Sequence, residues 1–424
     1  MVGSPLPPDF EYLAEPARRS WQLSRIAQAA AHAWDTSVFY RDRWGAQPRL
    51  ENWQDFQALP IVTKNQMLRH ASDQGGMQPA LTGARVGFST RGTSGNPLVL
   101  WLEEEEAAAY VVPTLRGFRW AGLLAGDDAL ILSPSWHRLA AMEGHAVVQA
   151  GARPAYFWGT LSDPAHAEPF VEALLDVRPA FVTSTPPFLL NVLSHCADRG
   201  LNPAEVFAPV RTLVLAGLAL TPGLRRHLEV TLDTQVFERG GTQEGAAMDE
   251  CPAHQGMHVH EDVCLIEVLD KQGQPVPPGT AGRLVVTKLV ASGSPFLRYD
   301  TGDQAWFHPG ACPCGCTLPR LRILARPEST LMVAGKAVTG FEVRAVLDED
   351  PALVGRVSLL IRDSEVKDTL HVMIEGAPSR AAPETRLQQA LGLPRVRITW
   401  AGGRGLAWGF RQVIDATELQ GKPL

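Results

Sequence analysis

The pattern of apolar and polar positions changes along the chain. Between residues 15 and 46, apolar positions recur at helical spacing in RRSWQLSRIAQAAAHAW, which predicts an amphipathic helix followed by a turn. After ALPIVTK, short β-rich runs such as ALILSPS and TLVLAG alternate with helical segments, which favours an α/β sheet. Beyond Asp249 the segments become strand-rich, and the turn signals QG and PPG predict hairpins. From about Arg326, short strands and one polar helix predict a small α+β domain.

The predicted fold class is therefore α/β, with two domains. A chain of 424 residues is too long for one ordinary core. We expect a large multi-sheet N-terminal domain over residues 1–325, whose β-rich part spans about 250–325, and a small C-terminal α+β domain over 326–424. The acidic run Glu103 to Glu106 is expected to be a solvated helix start, because acidic side chains are favoured there by the helix dipole.

Composition narrows the class of partner. The chain is 45% apolar and 20% charged with a formal net charge of -6, which gives no electrostatic reason to expect nucleic acid. The N-terminal segment lacks a charged start followed by an apolar run, and no segment reaches about 18 continuous apolar residues. We therefore expect a cytoplasmic protein with neither a nucleic-acid nor a membrane partner.

The cysteines indicate a metal. Six cysteines are too few for a disulfide scaffold in a chain of this length. Three of them lie within five residues, as Cys312-Pro-Cys314-Gly-Cys316. Buried or surface cysteines are the alternative, but apolar packing does not require three thiols in one polar turn.

A loop of glycines and hydroxyls, Ser89 to Pro97, lies between a predicted strand, VGFST, and a predicted helix, EEEEAAAYVVPTLRGFRWAG. Glycines let backbone N–H groups approach phosphate oxygens and the hydroxyls add donors, so such a loop can bind an anion. On its own a Ser/Gly turn is more often only a turn. Whether the loop binds an anion is therefore judged from the motifs that follow it along the chain.

Those motifs resemble the adenylate-forming enzymes. Ser89 to Pro97 is similar to their phosphate-binding signature, and Arg239 to Glu244 stands where they carry an aromatic-Gly-x-Ser/Thr-Glu motif. Leu297 to Asp303 resembles their Tyr-Arg-Thr-Gly-Asp motif, and Arg326 matches their hinge arginine. The segments SVFYRDRW, LPIVTK and CPCGCTLPRL narrow the resemblance to phenylacetate-coenzyme A ligases.

The resemblance implies a reaction and a site. In that family a carboxylate attacks ATP, the small C-terminal domain rotates, and the coenzyme A thiol attacks the acyl-adenylate. The acyl group is then expected near strand ends around Ser135, His137, Gly217 and Gly240, as ligands sit in open α/β sheets. The resemblance also implies that Glu244 is a catalytic residue. The residues expected to bind nucleotide or coenzyme A are Ser89, Thr90, Gly92, Thr93, Ser94, Gly95, Gly217, Gly240, Gly241, Thr242, Asp303 and Arg326.

The resemblance also implies a zinc site. Its ligands would be Cys251, His258, Cys312 and Cys314, and four protein ligands make a closed, structural Zn²⁺ site. The nearby substitutes are His254, His260 and Cys316.

The residues that depart from the family pattern are mainly those that serve the adenylation step. Asn96 stands where a lysine is common, Gly240 replaces the stacking aromatic residue and Gln243 replaces Ser/Thr. Ala334-Gly335 replaces the Arg-Gly pair beyond the hinge, and the catalytic lysine of the C-terminus falls on Gly409. Loss of such a preorganised charge commonly costs about 10² to 10³ in rate.

These losses favour an acyltransferase that moves an aromatic acyl group from acyl-coenzyme A to the phosphopantetheine of an acyl-carrier protein. His137 and His145 are candidate general bases, or alternatively histidines of the pocket wall. One alternative is an ATP- and Mg²⁺-dependent aryl- or acyl-coenzyme A ligase, and another is an inactive scaffold. Small members of this type often pair, so a homodimer is an open alternative.

Overall fold

The structure is a computed structural model that describes residues 9–73, 85–89, 98–133, 138–159, 163–324, 330–363, 368–378, 382–402 and 413–416. The chain divides into two compact units. The first comprises Met1–Ile131, Trp136–Ala155 and Phe237–Ile323, and the second Leu132–Ser135, Tyr156–Val236 and Leu324–Leu424. The domain boundary near residue 325 stays a prediction.

The helices of the described residues are α1 Glu15–Thr36, α2 Val38–Trp44, α3 Trp53–Ala58, α4 Lys64–Asp73, α5 Glu104–Trp120, α6 Arg138–Gln149, α7 Ala167–Val177, α8 Pro186–Arg199, α9 Pro203–Val206, α10 Pro222–Leu232, α11 Gly340–Leu347 and α12 Pro383–Leu391. Short 3₁₀ helices span Phe10–Tyr12 and Pro164–His166. Among these helices, none is both long and apolar enough to cross a membrane.

The strands are β1 Val62–Thr63, β2 Arg85–Ser89, β3 Val99–Glu103, β4 Asp128–Ser133, β5 Arg153–Trp158, β6 Phe181–Ser184, β7 Thr212–Ala216, β8 Gln235–Gly241, β9 Ala247–Glu250, β10 Met257–Val259, β11 Cys264–Leu269, β12 Gly282–Lys288, β13 Tyr299–Phe307, β14 Arg320–Ile323, β15 Thr330–Val333, β16 Lys336–Thr339, β17 Ser358–Arg362, β18 Thr369–Ile374, β19 Arg395–Trp400 and β20 Val413–Asp415.

Helix α1 follows the predicted pattern. It buries Ile26, Ala29, Ala30 and Ala33, which recur three and four residues apart and form one apolar stripe. This stripe packs into a core with residues of the sheet, including Leu265, Phe296 and Tyr299. The apolar periodicity therefore fixes which face of α1 is buried.

The first unit carries a run of antiparallel strands in the order β11–β12–β13–β14–β10–β9–β8, with β1 parallel to β13. Two turns between β11 and β12 use glycines with positive φ, Gly273 at 81° and Gly279 at 85°, where a side chain would be strained. The hairpin signals after Asp249 thus correspond to antiparallel strands.

The second unit contains both α/β and α+β parts. Strands β6 and β7 are parallel and joined through α8 and α9, which is the crossover expected of an α/β sheet. Nearer the C-terminus, β19–β18–β17–β20 form a four-stranded sheet with a shared core that includes Val343, Leu360 and Leu387. The predicted fold class, a large α/β part with a small C-terminal α+β part, is confirmed.

Two local predictions were wrong in part. Helix α5 begins at Glu104 as expected, but Glu106 is not solvated: it is 1% exposed and lies 2.6 Å from Lys288 Nζ. The segment after the glycine-hydroxyl loop is also not directly helical. Strand β3 comes first and pairs with β2, so that the loop connects the strands of a hairpin.

Candidate functional site

Four predicted metal ligands come together in the first unit. Cys251 directly follows β9, His258 lies on β10, and Cys312 and Cys314 lie between β13 and β14. The antiparallel pairing of β10 with both β9 and β14 brings these segments side by side. As a result, their four ligand atoms all lie within 4.8 Å of one another.

The contacts within the cluster are close. Cys251 Sγ lies 3.6 Å from Cys312 Sγ, and Cys314 Sγ lies 3.4 Å from His258 Nε2. The Cys312–Cys316 segment turns at Gly315, whose φ is 83° and whose N–H donates to the Cys312 carbonyl. The Cys316 N–H lies 3.4 Å from Cys314 Sγ, so that a backbone donor supports this sulfur.

The imidazole of His258 is oriented by the backbone. Its Nδ1 lies 2.8 Å from the carbonyl oxygen of Leu318, which can only accept, so Nδ1 carries the proton. Nε2 therefore carries no proton, and its lone pair faces Cys314. Burial lowers the pKa of His258 to about 4, which keeps the ring in its neutral, metal-binding form.

Burial and neighbouring groups shift the pKa values of the three thiols. Burial raises the pKa of Cys251 and of Cys314. Burial also opposes ionisation of Cys312, but hydrogen bonds from the Cys314 backbone and from neighbouring thiols lower its pKa overall. Three thiolates this close repel each other, and a divalent cation would relieve that repulsion, so the donor set fits Zn²⁺.

The substitute ligands have other partners. His254 Nδ1 lies 3.1 Å from Glu250 Oε2, and His260 Nε2 lies 2.8 Å from Asp249 Oδ2. Cys316 packs with Phe10 and Leu318, and burial raises the pKa of its thiol to about 12. Within the described part of the chain, the metal-capable group consists of Cys251, His258, Cys312 and Cys314.

Most of the predicted phosphate loop lies outside the described residues. This applies to Thr90, Gly92, Thr93, Ser94 and Gly95, whereas Ser89 ends β2 and pairs in register with Val99. The hairpin β2–β3 is held to the neighbouring segment by Ser294, whose Oγ accepts from the Trp101 N–H at 2.8 Å. The structure therefore describes the ends of β2 and β3 on either side of the loop.

The predicted acidic motif forms the tip of a hairpin. Gly240 and Gly241 end β8, and Thr242 to Ala246 connect them to β9, with the Thr242 N–H donating to the Ala246 carbonyl at 3.1 Å. A Cβ on Gly240 would lie 2.8 Å from Met257 Sδ. The tip is also fixed by Tyr110, whose hydroxyl donates to the Gly245 carbonyl at 2.8 Å. Glu244 lies in this turn.

Two further predicted residues, Asp303 and Gly217, lie in different units. Asp303 lies on β13, where its N–H donates to Thr301 Oγ1 at 3.1 Å. Gly217 follows β7 in the second unit with φ at 91°, a conformation that favours glycine.

The predicted bases remain predictions. His145 is exposed on α6, while His137 lies outside the described residues, as do Ser135, Arg326 and Gly409.

Beside the hairpin lies a buried polar group that no local pattern of the sequence predicted as a group. It comprises Arg116, Glu143, Arg239, Asp249 and His260, each at most 8% exposed. The available signal was weak: Arg116 interrupts the otherwise apolar part of α5, and a charge there needs a buried partner.

The chain is similar to known proteins over most of its length. Residues 90–293 match the family described as AMP-binding enzyme. The chain is 26% identical over 378 residues to a phenylacetate-coenzyme A ligase of Thermus thermophilus, covering 87% of this chain and 83% of that protein. It is 24% identical over 390 residues to the phenylacetate-coenzyme A ligase of Aromatoleum evansii, covering 89% and 86%.

Solved structures agree on the fold. The crystal structure of 2-hydroxyisobutyryl-CoA ligase in the postadenylation state, in complex with R3-HIB-AMP, superimposes with a TM-score of 0.85. The match covers 99% of this chain and 95% of that one at 22% identity, which shows a shared fold.

Proposed function

Because the chain belongs to the adenylate-forming superfamily, in its phenylacetate-coenzyme A ligase-like branch, we propose that it is an ATP-dependent acyl-coenzyme A ligase. The observation that carries this proposal is the similarity to two ligases over 83% and 86% of their lengths. The comparisons therefore favour the ligase over the acyltransferase that the missing residues predict.

The proposed reaction has two steps. A carboxylate oxygen attacks the α-phosphorus of ATP and pyrophosphate leaves; the thiolate of coenzyme A then attacks the acyl carbon and AMP leaves. We assign the phosphates to Ser89–Gly95 and the ribose hydroxyls to Asp303, whose carboxylate can accept from them. When bound, Mg²⁺ would neutralise phosphate charge, and Glu244 is the acidic group proposed near it.

An aromatic acid is the proposed substrate. The proposal rests on the phenylacetate ligases among the relatives and on the surroundings of Gly240, where Met248 and Met257 provide polarisable apolar contacts. Methionine sulfur makes favourable contacts with aromatic rings. A side chain at position 240 would compete with those methionines for space.

A specific observation supports a second candidate, the acyltransferase. Gly240 stands where the family has its stacking aromatic residue, and the neighbouring space is occupied by Met257 Sδ. In this reaction the carrier's phosphopantetheine thiolate attacks the acyl carbon of an acyl-coenzyme A and coenzyme A leaves as its thiolate. One thioester is exchanged for another, so ATP is not consumed. Neither an acyl-carrier partner nor a homodimer is needed by the ligase proposal.

Product analysis separates the candidates. In one arm the protein is mixed with ATP, Mg²⁺, coenzyme A and a panel of aromatic acids; in the other, with aryl-coenzyme A thioesters and a phosphopantetheinylated carrier without ATP. ATP-dependent aryl-coenzyme A, detected by mass spectrometry, supports the ligase. A carrier acylated without ATP, together with no product in the first arm, supports the transferase. No product in either arm overturns both and favours a scaffold.

We also propose that Cys251, His258, Cys312 and Cys314 hold one structural Zn²⁺. The proximity of their ligand atoms and the orientation of His258 support this assignment. Four protein ligands leave no open position, so the metal would stabilise the fold and not take part in the reaction. Less than one zinc per chain after mild purification would contradict the assignment.

A further inference from the structure

We propose that Arg239 and Asp249 are positioning residues that fix the β8–β9 hairpin, and with it the segment Gly240–Glu244. This inference rests on the proposed function only for the role of that segment in binding substrate. The two residues face each other directly across the hairpin, and Arg239 Nε lies 3.6 Å from Asp249 Oδ1. They precede and follow the tip that carries the predicted site residues.

Arg239 is enclosed by two helices. Its Nη2 donates to Thr114 Oγ1 on α5 at 2.7 Å, and its Nη1 lies 3.5 Å from Glu143 Oε1 on α6. The guanidinium carbon lies 5.2 Å from the centre of the Phe118 ring. A planar cation held by contacts in several directions has little freedom to reorient.

Asp249 is held from its other side. Its Oδ2 lies 2.8 Å from His260 Nε2, and His260 Nδ1 lies 3.1 Å from Arg116 Nη1. Arginine can only donate, so Nδ1 accepts and Nε2 carries the proton that is donated to Asp249. Arg116 is fixed in turn by two hydrogen bonds to Asp262, at 3.1 and 3.0 Å. The carboxylate of Asp249 is thus oriented by a chain of buried groups.

Gly117 provides the space for Asp249. A Cβ at this position of α5 would lie 2.3 Å from Asp249 Cγ and 2.5 Å from Oδ2. Glycine inside a helix costs about 1 kcal/mol relative to alanine, so its presence here is explained by the carboxylate. Tyr110, Thr114 and Gly117 form one stripe of α5 that contacts the tip and the body of the hairpin.

Stability alone is a poor explanation for this arrangement. Buried ion pairs repay their desolvation only with good geometry, and apolar residues often stabilise a core equally well. What the pair adds is a defined register and orientation of both strands immediately before the turn. A displacement of about 1 Å in a binding segment can cost on the order of 10² in rate.

The main test replaces Asp249 by Asn. D249N keeps the size and an acceptor for His260 but removes the charge opposite Arg239. We expect kcat/KM to fall on the order of 10²-fold, mainly through a higher KM for the acid. R239M should give a similar loss and R239K a smaller one, and the effects of D249N and R239M should be less than additive. G117A should act in the same direction, whereas V112A on the exposed face of α5 should not.

The matched control is E267Q. It weakens another buried ion pair of the same unit, Arg298–Glu267 at 2.9 Å, whose residues lie on β11 and directly before β13 and are not part of the β8–β9 hairpin. E267Q is expected to keep the kcat/KM of the unaltered protein. Hydrogen–deuterium exchange of peptides covering residues 240–246 gives a second readout: D249N should speed exchange there, and E267Q should not.

Each result is decisive. Unchanged exchange over 240–246 and unchanged KM in folded D249N would overturn the proposal, as would equal effects of D249N and E267Q. If neither thioester reaction is detected, the exchange comparison still tests positioning, so failure of the proposed function is distinguished from failure of this inference.

Discussion

His258 Nδ1 lies 2.8 Å from the Leu318 carbonyl oxygen, which leaves Nε2 directed at Cys314 Sγ, 3.4 Å away. An imidazole fixed in this way loses little freedom when it binds a metal. The arrangement gives the cluster its clearest test. It also distinguishes Cys314, which His258 faces, from the neighbouring Cys316.

We predict that C312S loses its zinc and lowers the free energy of unfolding, because metal binding contributes directly to folding in structural sites. Elemental analysis and urea unfolding measure both effects. C316S and C196S are the controls: both cysteines are buried but lie outside the four-residue group, so their variants should retain one zinc per chain. Zinc retained by C312S but lost by C316S would contradict the ligand set.

Breaking the buried ion pair Lys288–Glu106 is expected to lower the stability of the protein substantially. Their side chains are 3% and 0% exposed and 2.6 Å apart, and Ser292 Oγ lies within 2.9 Å of both charged groups. K288M leaves Glu106 buried without its cation, so we expect a loss of about 3–5 kcal/mol in urea unfolding.

The double variant K288M/E106L should recover most of that loss, since it removes both charges. Asp128→Asn, which alters an exposed pair with Arg153, should leave the unfolding midpoint unchanged. A K288M variant as stable as the unaltered protein would show that the pair contributes nothing.

His308 predicts a dependence of stability on pH. Burial, with smaller contributions from Arg322 and Arg320, lowers its pKa from 6.5 to about 4. Between these values the unfolded chain binds the proton and the folded chain does not, so stability rises with pH from about 4 to 6.5 and is lost on acidification.

In urea unfolding at several pH values, H308N should flatten part of this rise relative to the unaltered protein. A rise of the same steepness in H308N would contradict the prediction.

Alanine is expected to be tolerated at position 240 but not at position 241. The new Cβ at 240 meets the flexible end of Met257, which can move, whereas the Cβ at 241 meets the backbone oxygen of Ala246 at 2.6 Å. We expect G240A to remain folded and active, and G241A to lose activity because the turn must open. Activity and unfolding measurements check both; equal tolerance of the two variants would be inconsistent with the hairpin geometry.

Local patterns predicted the fold because its elements are set by nearby residues. The stripe of Ile26, Ala30 and Ala33 needs only its own periodicity, and the turns at Gly273 and Gly279 only their own sequence. The sequence could not reveal that Glu106 is buried, since its partner Lys288 is 182 residues away.

The parts of the site that carry a recognisable sequence motif could be predicted from the sequence. The cysteine spacing and the family resemblance indicated the four residues that the structure brings together, Cys251, His258, Cys312 and Cys314. The same resemblance indicated the segment Arg239 to Glu244, but it gave no role to Arg239 and did not extend to Asp249. The importance of this pair depends on cross-strand register and on the space above Gly117. Contacts of this kind arise from packing between distant segments, which no local pattern encodes.

The most direct test of the proposed ligase is acid-dependent exchange of labelled pyrophosphate into ATP, measured with a panel of aromatic acids and no coenzyme A. We predict exchange that requires both the acid and Mg²⁺ and that is lost in E244Q. No exchange with any acid, from a folded protein that acylates a carrier from aryl-coenzyme A, would contradict the ligase and establish the transferase.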